Sequence, residues 1–402
     1  MTTLSPYAAT TAPARLDAYA QLAERGPLNR ITLPNGVEAW LVTGYAETRA
    51  ALNDPRLVKD GRVMSVMAER VRPHLVPAIC SHLLRTDGED HARLRRLVGA
   101  AFTRGRMDAM APRIAELTAA LLDDLAARGP DEIVDLLPTF AYPLPMTVIC
   151  DLLGVPAEHR EAFHADAEIL MAGAFAAEDA YGPALERMVD LLRELVALKR
   201  ATPTADLISA LVAVRDGGDR LSEDELTSMI WILVIAGHET TVNLIGNGVA
   251  VLLEHPDQLA RLRADEALLP LAVEELLRFA GPAQSTFPVI ATEPLELGGV
   301  RIEAGDILVP ATIAANRDPA NTPRPDALDV GRTPNQHIGF GHGIHHCLGA
   351  PLARLEGRIA LGALLERFPD LALAVPPAEL TYRPNFLFHG LTTLPVRLGK
   401  PA

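Results

Sequence analysis

The stretch between Ser222 and Pro256 constrains the fold of this 402-residue chain more than any other. Ser222-Glu-Asp-Glu225 has the form of a capping box, which marks a helix start, and Pro256 is a residue that ends helices. The roughly 30 residues between them predict a helix about 50 Å long at 1.5 Å per residue. The first half is apolar nearly all round, which is typical of a buried helix. We therefore expect one long helix to cross a mainly helical protein.

The middle of this helix, residues 236–241, contains side chains that a buried helix usually avoids. The run reads Ala-Gly-His-Glu-Thr-Thr. A glycine costs a helix about 1 kcal/mol relative to alanine, and a buried acid or hydroxyl costs more unless it is partnered. A kink with back-bonded threonines would explain the run structurally. The alternative is a groove at Gly237 that admits a small ligand, with Glu239 and Thr240 handling protons.

A second unusual stretch, residues 339–349, is a glycine-rich loop around Cys347. From residue 350 onward the apolar residues recur at helical spacing, so Cys347 is expected just before a helix N-terminus. The free N–H groups and the dipole there favour a thiolate. The four glycines of the loop are Gly339, Gly341, Gly343 and Gly349.

Cys347 has three interpretations. It is a buried structural cysteine, or a zinc ligand together with His342, His345 and His346, or the axial thiolate ligand of haem iron. Structural zinc usually needs a second ligand pair, and the only other cysteines, Cys80 and Cys150, stand alone.

Phe340, Gly343, Cys347 and Gly349 follow the order Phe-x-x-Gly-x-x-x-Cys-x-Gly, which resembles the haem-binding loop of the cytochrome P-450 family. Residues 236–241 match the family's oxygen-activation motif. Glu275-Leu-Leu-Arg278 would by itself indicate a surface ion pair of little value. It also matches the family's structural Glu-x-x-Arg motif, and the candidate third member of that network is Arg332.

The resemblance covers the chain from about residue 15 and implies the fold. We expect a single cytochrome P-450 domain over residues 1–402, mainly α with a small β part, with haem between the long central helix and the cysteine loop. Residues 1–13 are expected to be poorly ordered because they are rich in Ala, Thr and Pro. Residues 28–33 and 37–42 flank an Asn-Gly turn and predict a hairpin. Strands at 295–302 and 306–310 should pack with it, and residues 380–398 alternate enough to suggest short strands.

The resemblance also implies roles for individual residues. Cys347 would ligate the iron of haem b, and Glu239 and Thr240 would deliver protons to O2 bound beside Gly237. The expected haem contacts are His91, Arg95, Ala236, Gly237, Thr240, Phe340, Gly341, His345 and Gly349. The propionates would be held by the helix that carries His91 and Arg95, and by His345. One departure is that residues 287–290 lack the propionate arginine that many relatives place near Val289.

Substrate selectivity is expected from mostly apolar segments above the haem, which predicts a hydrophobic substrate. Aromatic residues make up only 4% of the chain, so we expect an aliphatic and roomy pocket. The segments are residues 62–85, 165–182, 283–289 and 386–388 and the central helix. The expected substrate contacts are Leu233, Ala236, Phe287, Val289 and Phe388.

Composition bounds the partners and the location. A net charge of −14 argues against general nucleic-acid binding. Three unevenly spaced cysteines indicate a reducing compartment. The N-terminus has no pattern of a signal peptide, and the longest strongly apolar run, about 229–237, is too short for a bilayer. We therefore expect a cytoplasmic protein that is not bound to a membrane.

The leading hypothesis is a haem-thiolate monooxygenase that hydroxylates or epoxidises a hydrophobic small molecule in secondary metabolism. The resemblance is strongest to soluble actinomycete enzymes acting on macrolides, steroids and similar polycyclic compounds. Electrons would come from a ferredoxin and a ferredoxin reductase, because no flavin or iron–sulfur domain is expected in this chain. The alternatives are a peroxide-driven haem peroxygenase and a non-enzymatic haem- or gas-binding protein.

The docking face for the ferredoxin is predicted at an arginine-rich segment, residues 93–106, which contains no acid before Met107. A solvated helix face is the ordinary explanation of such a charge run. Docking of an acidic partner is the specific one. The arginines concerned are Arg93, Arg95, Arg96, Arg104 and Arg106, together with Arg354 and Arg358.

Overall fold

The computed structural model describes residues 5–33, 36–59, 72–172, 178–214 and 219–402. These residues are mainly helical, with short strands, as predicted. The α-helices, numbered in chain order, are α1 (Ala12–Ala23), α2 (Tyr45–Asn53), α3 (Val76–Cys80), α4 (Gly88–Ala101), α5 (Arg104–Asp108), α6 (Ala111–Ala126), α7 (Pro143–Leu153), α8 (Ala157–Ala172), α9 (Glu178–Ala201), α10 (Leu207–Ala213), α11 (Glu223–Glu254), α12 (Pro256–Ala264), α13 (Leu269–Phe279), α14 (Thr312–Ala315) and α15 (Ala350–Arg367).

The strands form one larger sheet and two small ones. The order in the larger sheet is β1-β2-β8-β5-β3, with β2 and β8 parallel. The predicted N-terminal hairpin is therefore confirmed, and so is its packing with the later strands. The strands are β1 (Leu28–Thr32), β2 (Glu38–Val42), β3 (Leu57–Val58), β4 (Ile133–Asp135), β5 (Val289–Ala291), β6 (Leu295–Leu297), β7 (Val300–Ile302), β8 (Ile307–Pro310), β9 (Ala372–Leu373) and β10 (Pro395–Arg397).

The chain divides into two compact units. The first comprises Met1–Val58, Ala111–Leu144 and Thr240–Ala402, and the second Lys59–Met110 and Pro145–Glu239. In the first, one face of the larger sheet is buried through a cluster that includes Ile31, Leu41 and Val309. In the second, α8 packs against α9 and α4 against α10. The single domain over residues 1–402 stays a prediction.

The long helix α11 confirms the prediction from the capping box. The Ser222 N–H donates to Glu225 Oε2 at 2.8 Å, and the Glu225 N–H donates to Ser222 Oγ at 3.2 Å. The helix runs unbroken through Gly237. Among the described residues it is the one helix long and apolar enough to cross a bilayer, but 72% of its apolar window is buried inside the protein, as in the core helix of a globular fold.

The N-terminus is ordered earlier than its composition indicates. Pro6–Ala8 forms a 3₁₀ turn, and Tyr7 is buried. The reason is tertiary, because the Tyr7 ring packs edge-on against Phe386 and its hydroxyl lies 3.4 Å from Ser285 Oγ. Of the predicted selectivity segments, residues 60–71 and 173–177 lie outside the described residues.

Candidate active site

Cys347 lies at the end of a tightly turned loop, three residues before α15. Its N–H donates to the carbonyl oxygen of Phe340 at 2.9 Å, which closes the loop. Two smaller turns, at residues 338–341 and 343–346, are closed by the Gly341 and His346 N–H groups. The predicted position just before a helix is confirmed, with Gly349 as the N-cap of α15.

Glycine is required at two points of this loop. Gly341 and Gly343 both have φ of +71°, a conformation that other residues adopt only with strain. A Cβ on Gly343 would also overlap Asn53 Oδ1 and lie 2.6 Å from the carbonyl oxygen of Leu52. The Gly343–His345 turn can therefore sit against α2 only because residue 343 has no side chain.

The structure describes all three cysteines of the chain, and Cys347 differs from the other two. Cys347 is exposed, Cys80 is half-buried and Cys150 is buried. Burial raises the pKa of Cys150 to about 12, so that thiol stays protonated. The described residues contain no group of three or more His, Cys, Asp or Glu side chains placed to hold a metal ion. This part of the chain therefore does not support the zinc interpretation, whereas an iron that takes one protein thiolate fits Cys347.

An ionic cluster behind the loop was missed by the sequence reasoning. Arg354 donates to both oxygens of Glu274, at 2.6 and 2.9 Å, and its guanidinium lies 4.5 Å from the centre of the Phe340 ring. His337 Nδ1 accepts from the Gly339 N–H, so its Nε2 carries the proton donated to Glu274 at 3.0 Å. Burial alone would raise the pKa of Glu274, but these two donors lower it to about 2.

The predicted network of Glu275, Arg278 and Arg332 is confirmed, and it is buried rather than on the surface. Arg278 donates to both oxygens of Glu275 at 2.8 Å, and Arg332 Nε lies 3.0–3.1 Å from the same oxygens. Asn335 Nδ2 and the Asp329 N–H complete the shell. The remaining guanidinium N–H groups donate to the carbonyl oxygens of the coil before the cysteine loop, at residues 316, 323, 324, 325 and 327.

A half-exposed stripe interrupts the buried surface of α11. Between Leu226 and Ala250 every residue is buried except five. Four of these five have helical spacing 0, 3, 4 and 7, so they share one face. They are Leu233, Ala236, Gly237 and Thr240, and Ile235 is the fifth. Four residues predicted from the sequence to contact cofactor or substrate therefore coincide with the accessible part of an otherwise buried helix.

The neighbouring Glu239 is 3% exposed and the His238 side chain is fully buried. A Cβ on Gly237 would meet only Ile149 Cδ1, at an ordinary van der Waals distance of 3.5 Å, so the space beside this glycine would accept a small side chain.

His91 and Arg95 lie one turn apart on α4, in the second unit. His91 is buried, and Arg95 is half-buried. Within the arginine-rich segment, Arg93 pairs with Glu225 and Asp219, and Arg106 donates to the carbonyl oxygen of Ala205. Arg96 and Arg104 are exposed.

The predicted substrate contacts outside α11 lie in the first unit, in different settings. Val289 is in β5 and belongs to a buried core cluster of the larger sheet. Phe287 and Phe388 are half-buried. His345 is half-buried in the turn before Cys347.

Comparisons with known proteins agree with these motifs. The sequence profile of the family "Cytochrome P450" matches residues 177–372. Cytochrome P450 107B1 of Saccharopolyspora erythraea is 47% identical, over 96% of this chain and 95% of that protein. The chain belongs to the cytochrome P450 family.

Two further similarities extend over nearly all of this P450. The vitamin D(3) 25-hydroxylase of Pseudonocardia autotrophica is 45% identical, over 95% of this chain and 93% of that protein. The solved structure of the tirandamycin C-bound P450 monooxygenase TamI superposes with a TM-score of 0.86 at 43% identity, covering 95% of this chain and 97% of that one. The protein is therefore a haem-iron monooxygenase that uses O2 and acts on a small molecule.

Proposed function

We propose that this P450 inserts one oxygen atom of O2 into a bulky hydrophobic molecule, by hydroxylation or epoxidation, as a step of secondary metabolism. The observation that carries the proposal is the exposed thiol of Cys347 at the end of a loop that left-handed glycines and the Glu274 cluster hold in place. Macrolides, steroids and similar polycyclic compounds are the substrate class. Two relatives, named for vitamin D(3) hydroxylation and for a bound tirandamycin C, support the choice of large apolar substrates.

In this proposal Cys347 ligates the iron of haem b, which supplies the oxygen chemistry when bound. Phe340, Gly341, Gly349, Ala236 and Gly237 contact the haem, and His91, Arg95 and His345 donate to its propionates. Thr240 and Glu239 hold and move protons toward the oxygen site. Leu233, Ala236, Phe287 and Phe388 are the proposed substrate contacts. Val289 is buried in the core of the larger sheet, so it acts on the substrate through the packing of β5.

Optical titration tests the substrate class. Steroids and macrolides added to the purified holoprotein should shift the haem from low spin to high spin, while small polar alcohols should not. A library in which only small polar compounds produce the shift would contradict the proposal.

A ferredoxin, itself reduced by a ferredoxin reductase, is the proposed electron donor in a cytoplasmic setting. Within the arginine-rich segment, Arg96 and Arg104 are the exposed cations, with side chains suited to an acidic partner. Arg104 is weakly paired, since Asp108 lies 3.6 Å away and both side chains are exposed. Arg93 and Arg106 are engaged within the second unit, so they contribute less.

Charge reversal tests this docking face. Arg96→Glu with Arg104→Glu should slow reduction by ferredoxin at low ionic strength and leave substrate affinity unchanged, because the face acts only on encounter. Arg25→Glu is the control, since Arg25 is also exposed but lies outside the segment. Equal reduction rates in all three proteins would overturn this face as the docking site.

A further inference from the structure

Two of the proposed substrate segments, residues 283–289 and 386–388, lie side by side in the first unit. Ala283 and Phe388 form an antiparallel bridge. The Gln284 N–H donates to the carbonyl oxygen of Leu387 at 2.8 Å, and the His389 N–H donates to that of Pro282 at 2.8 Å. The two segments therefore form one continuous surface.

The side chain of Gln284 holds the two segments together through hydrogen bonds. Its Nε2 donates to the carbonyl oxygens of Phe388, at 3.1 Å, and of Asn385. Its Oε1 accepts from the Tyr19 hydroxyl at 3.2 Å. Gln284 is fully buried and Tyr19 is 2% exposed. Both N–H donors and the acceptor of the amide are thus used inside the protein, where an unmade hydrogen bond is costly.

Residues 385–388 are also held together by hydrogen bonds among themselves. Asn385 Oδ1 accepts from the N–H groups of Leu387, at 2.7 Å, and Phe388, at 2.9 Å. On the far side, the carbonyl oxygen of His389 accepts from Asn247 Nδ2 at 2.7 Å. The backbone that carries Phe388 is therefore held on both sides, while the Phe388 side chain stays half-buried.

We propose that Gln284 is a positioning residue for substrate selectivity, which fixes Phe388 and residues 283–289 as one rigid wall for a bulky apolar ligand. The inference rests on the proposed function, in which these segments contact substrate. A wall that is ordered before binding loses little conformational freedom when a large ligand packs on it. A ligand too small to reach the wall gains nothing from it.

Gln284→Met tests the proposal, because it keeps the length of the side chain and removes both donors and the acceptor. Tyr19→Phe is a milder variant that removes only the hydroxyl partner. The control is Tyr7→Phe, which removes a buried hydroxyl beside Ser285 but none of the bonds of Gln284. In the holoprotein, amide exchange at residues 387–389 should be about tenfold faster in Gln284→Met. It should be less accelerated in Tyr19→Phe and unchanged in Tyr7→Phe.

Binding of two azoles then tests selectivity through the Soret shift. Gln284→Met should weaken the bulky clotrimazole about tenfold and leave imidazole unchanged. Equal weakening of both azoles, or exchange at residues 387–389 no faster than in Tyr7→Phe, would overturn the proposal. If Gln284→Met fails to fold, exchange in Tyr19→Phe decides in the same way. A wild-type protein that shows no Soret shift with either azole would contradict the proposed function instead, and the exchange measurement would still decide whether Gln284 holds the wall.

Discussion

The cysteine loop and the middle of α11 supply the two motifs of the proposed site, yet they are built in opposite ways. The loop is fixed by backbone hydrogen bonds, left-handed glycines and the ionic cluster centred on Glu274, and the coil before it is fixed by the network of Glu275. The middle of α11 is a regular helix that carries the half-exposed stripe at residues 233–240. Substitutions in the Glu274 and Glu275 clusters should therefore lower the unfolding free energy, whereas substitutions on the half-exposed stripe should change the reaction and leave the fold intact.

Of the substitutions considered, Glu275→Gln should lower the folding stability most. It removes the charge that Arg278 and Arg332 share in a buried site, and an uncompensated buried cation costs about 3–5 kcal/mol. We expect loss of most folded, haem-containing protein, measured by urea unfolding and haem content. Glu274→Gln is the matched control, because its carboxylate is 26% exposed and the loss should be smaller. Equal stability of the two variants would contradict the structural role of the Glu275 network.

Glu356, a buried residue of α15, should make stability depend on pH. Burial raises its pKa from 4.5 to about 8, and its Oε2 has no hydrogen-bond partner among the described residues. Since the folded protein holds the proton, stability is full below pH 4.5 and falls as pH rises toward 8. By pH 7 the loss is about 3 kcal/mol.

Glu356→Gln should remove this loss, so the difference between variant and wild type in unfolding free energy should grow steadily from pH 5 to pH 8. Urea unfolding at four pH values measures it. Glu366→Gln, at an exposed position of the same helix, should follow the wild type. Parallel curves for Glu356→Gln and wild type would show that Glu356 is not buried as an isolated acid.

Gly343→Ala and Gly341→Ala separate backbone strain from steric overlap. Both have φ of +71°, but a Cβ at residue 341 would meet nothing closer than 3.8 Å. Gly341→Ala should therefore cost only the strain, about 1–2 kcal/mol. Gly343→Ala should cost more, because it must also displace α2. Denaturant midpoints measure both, and equal losses would contradict the close approach of the loop to residues 52–53.

Thr240→Ala should have the smallest effect on stability, because Thr240 lies on the half-exposed stripe of α11. We expect near-wild-type unfolding with more of the consumed O2 released as hydrogen peroxide, since the proposed proton delivery is interrupted. Thr241→Ala, one residue along and buried, should lose stability and keep its coupling. Full coupling in Thr240→Ala would remove this residue from the mechanism.

The elements that the sequence predicted well are those with local signals. The capping box at Ser222 and the Asn-Gly turn before β2 act over a few residues, and the structure contains both the helix and the hairpin. The Glu275 network was predictable through its resemblance to the family, although Arg332 is 57 residues away from Glu275.

Other features depend on contacts that no local pattern encodes. Tyr7 is ordered by Ser285 and Phe386, which lie about 280 and 380 positions later, and composition could not indicate these contacts. Gln284 is held by Tyr19 and by carbonyl oxygens about 100 positions away. The Glu274 cluster joins three helix and loop positions whose residue types are ordinary on a surface. For both Gln284 and the Glu274 cluster, the only signal in the sequence is a polar residue in an apolar stretch.

The absorbance spectrum of the reduced protein under carbon monoxide tests whether the thiolate of Cys347 binds the haem iron. Wild type and Cys150→Ser should both show the Soret band at the long wavelength of thiolate-ligated haem. Cys347→Ser should lose that band. A colourless wild type, a histidine-type carbonyl spectrum, or a long-wavelength band that survives in Cys347→Ser would show that Cys347 does not ligate a haem iron.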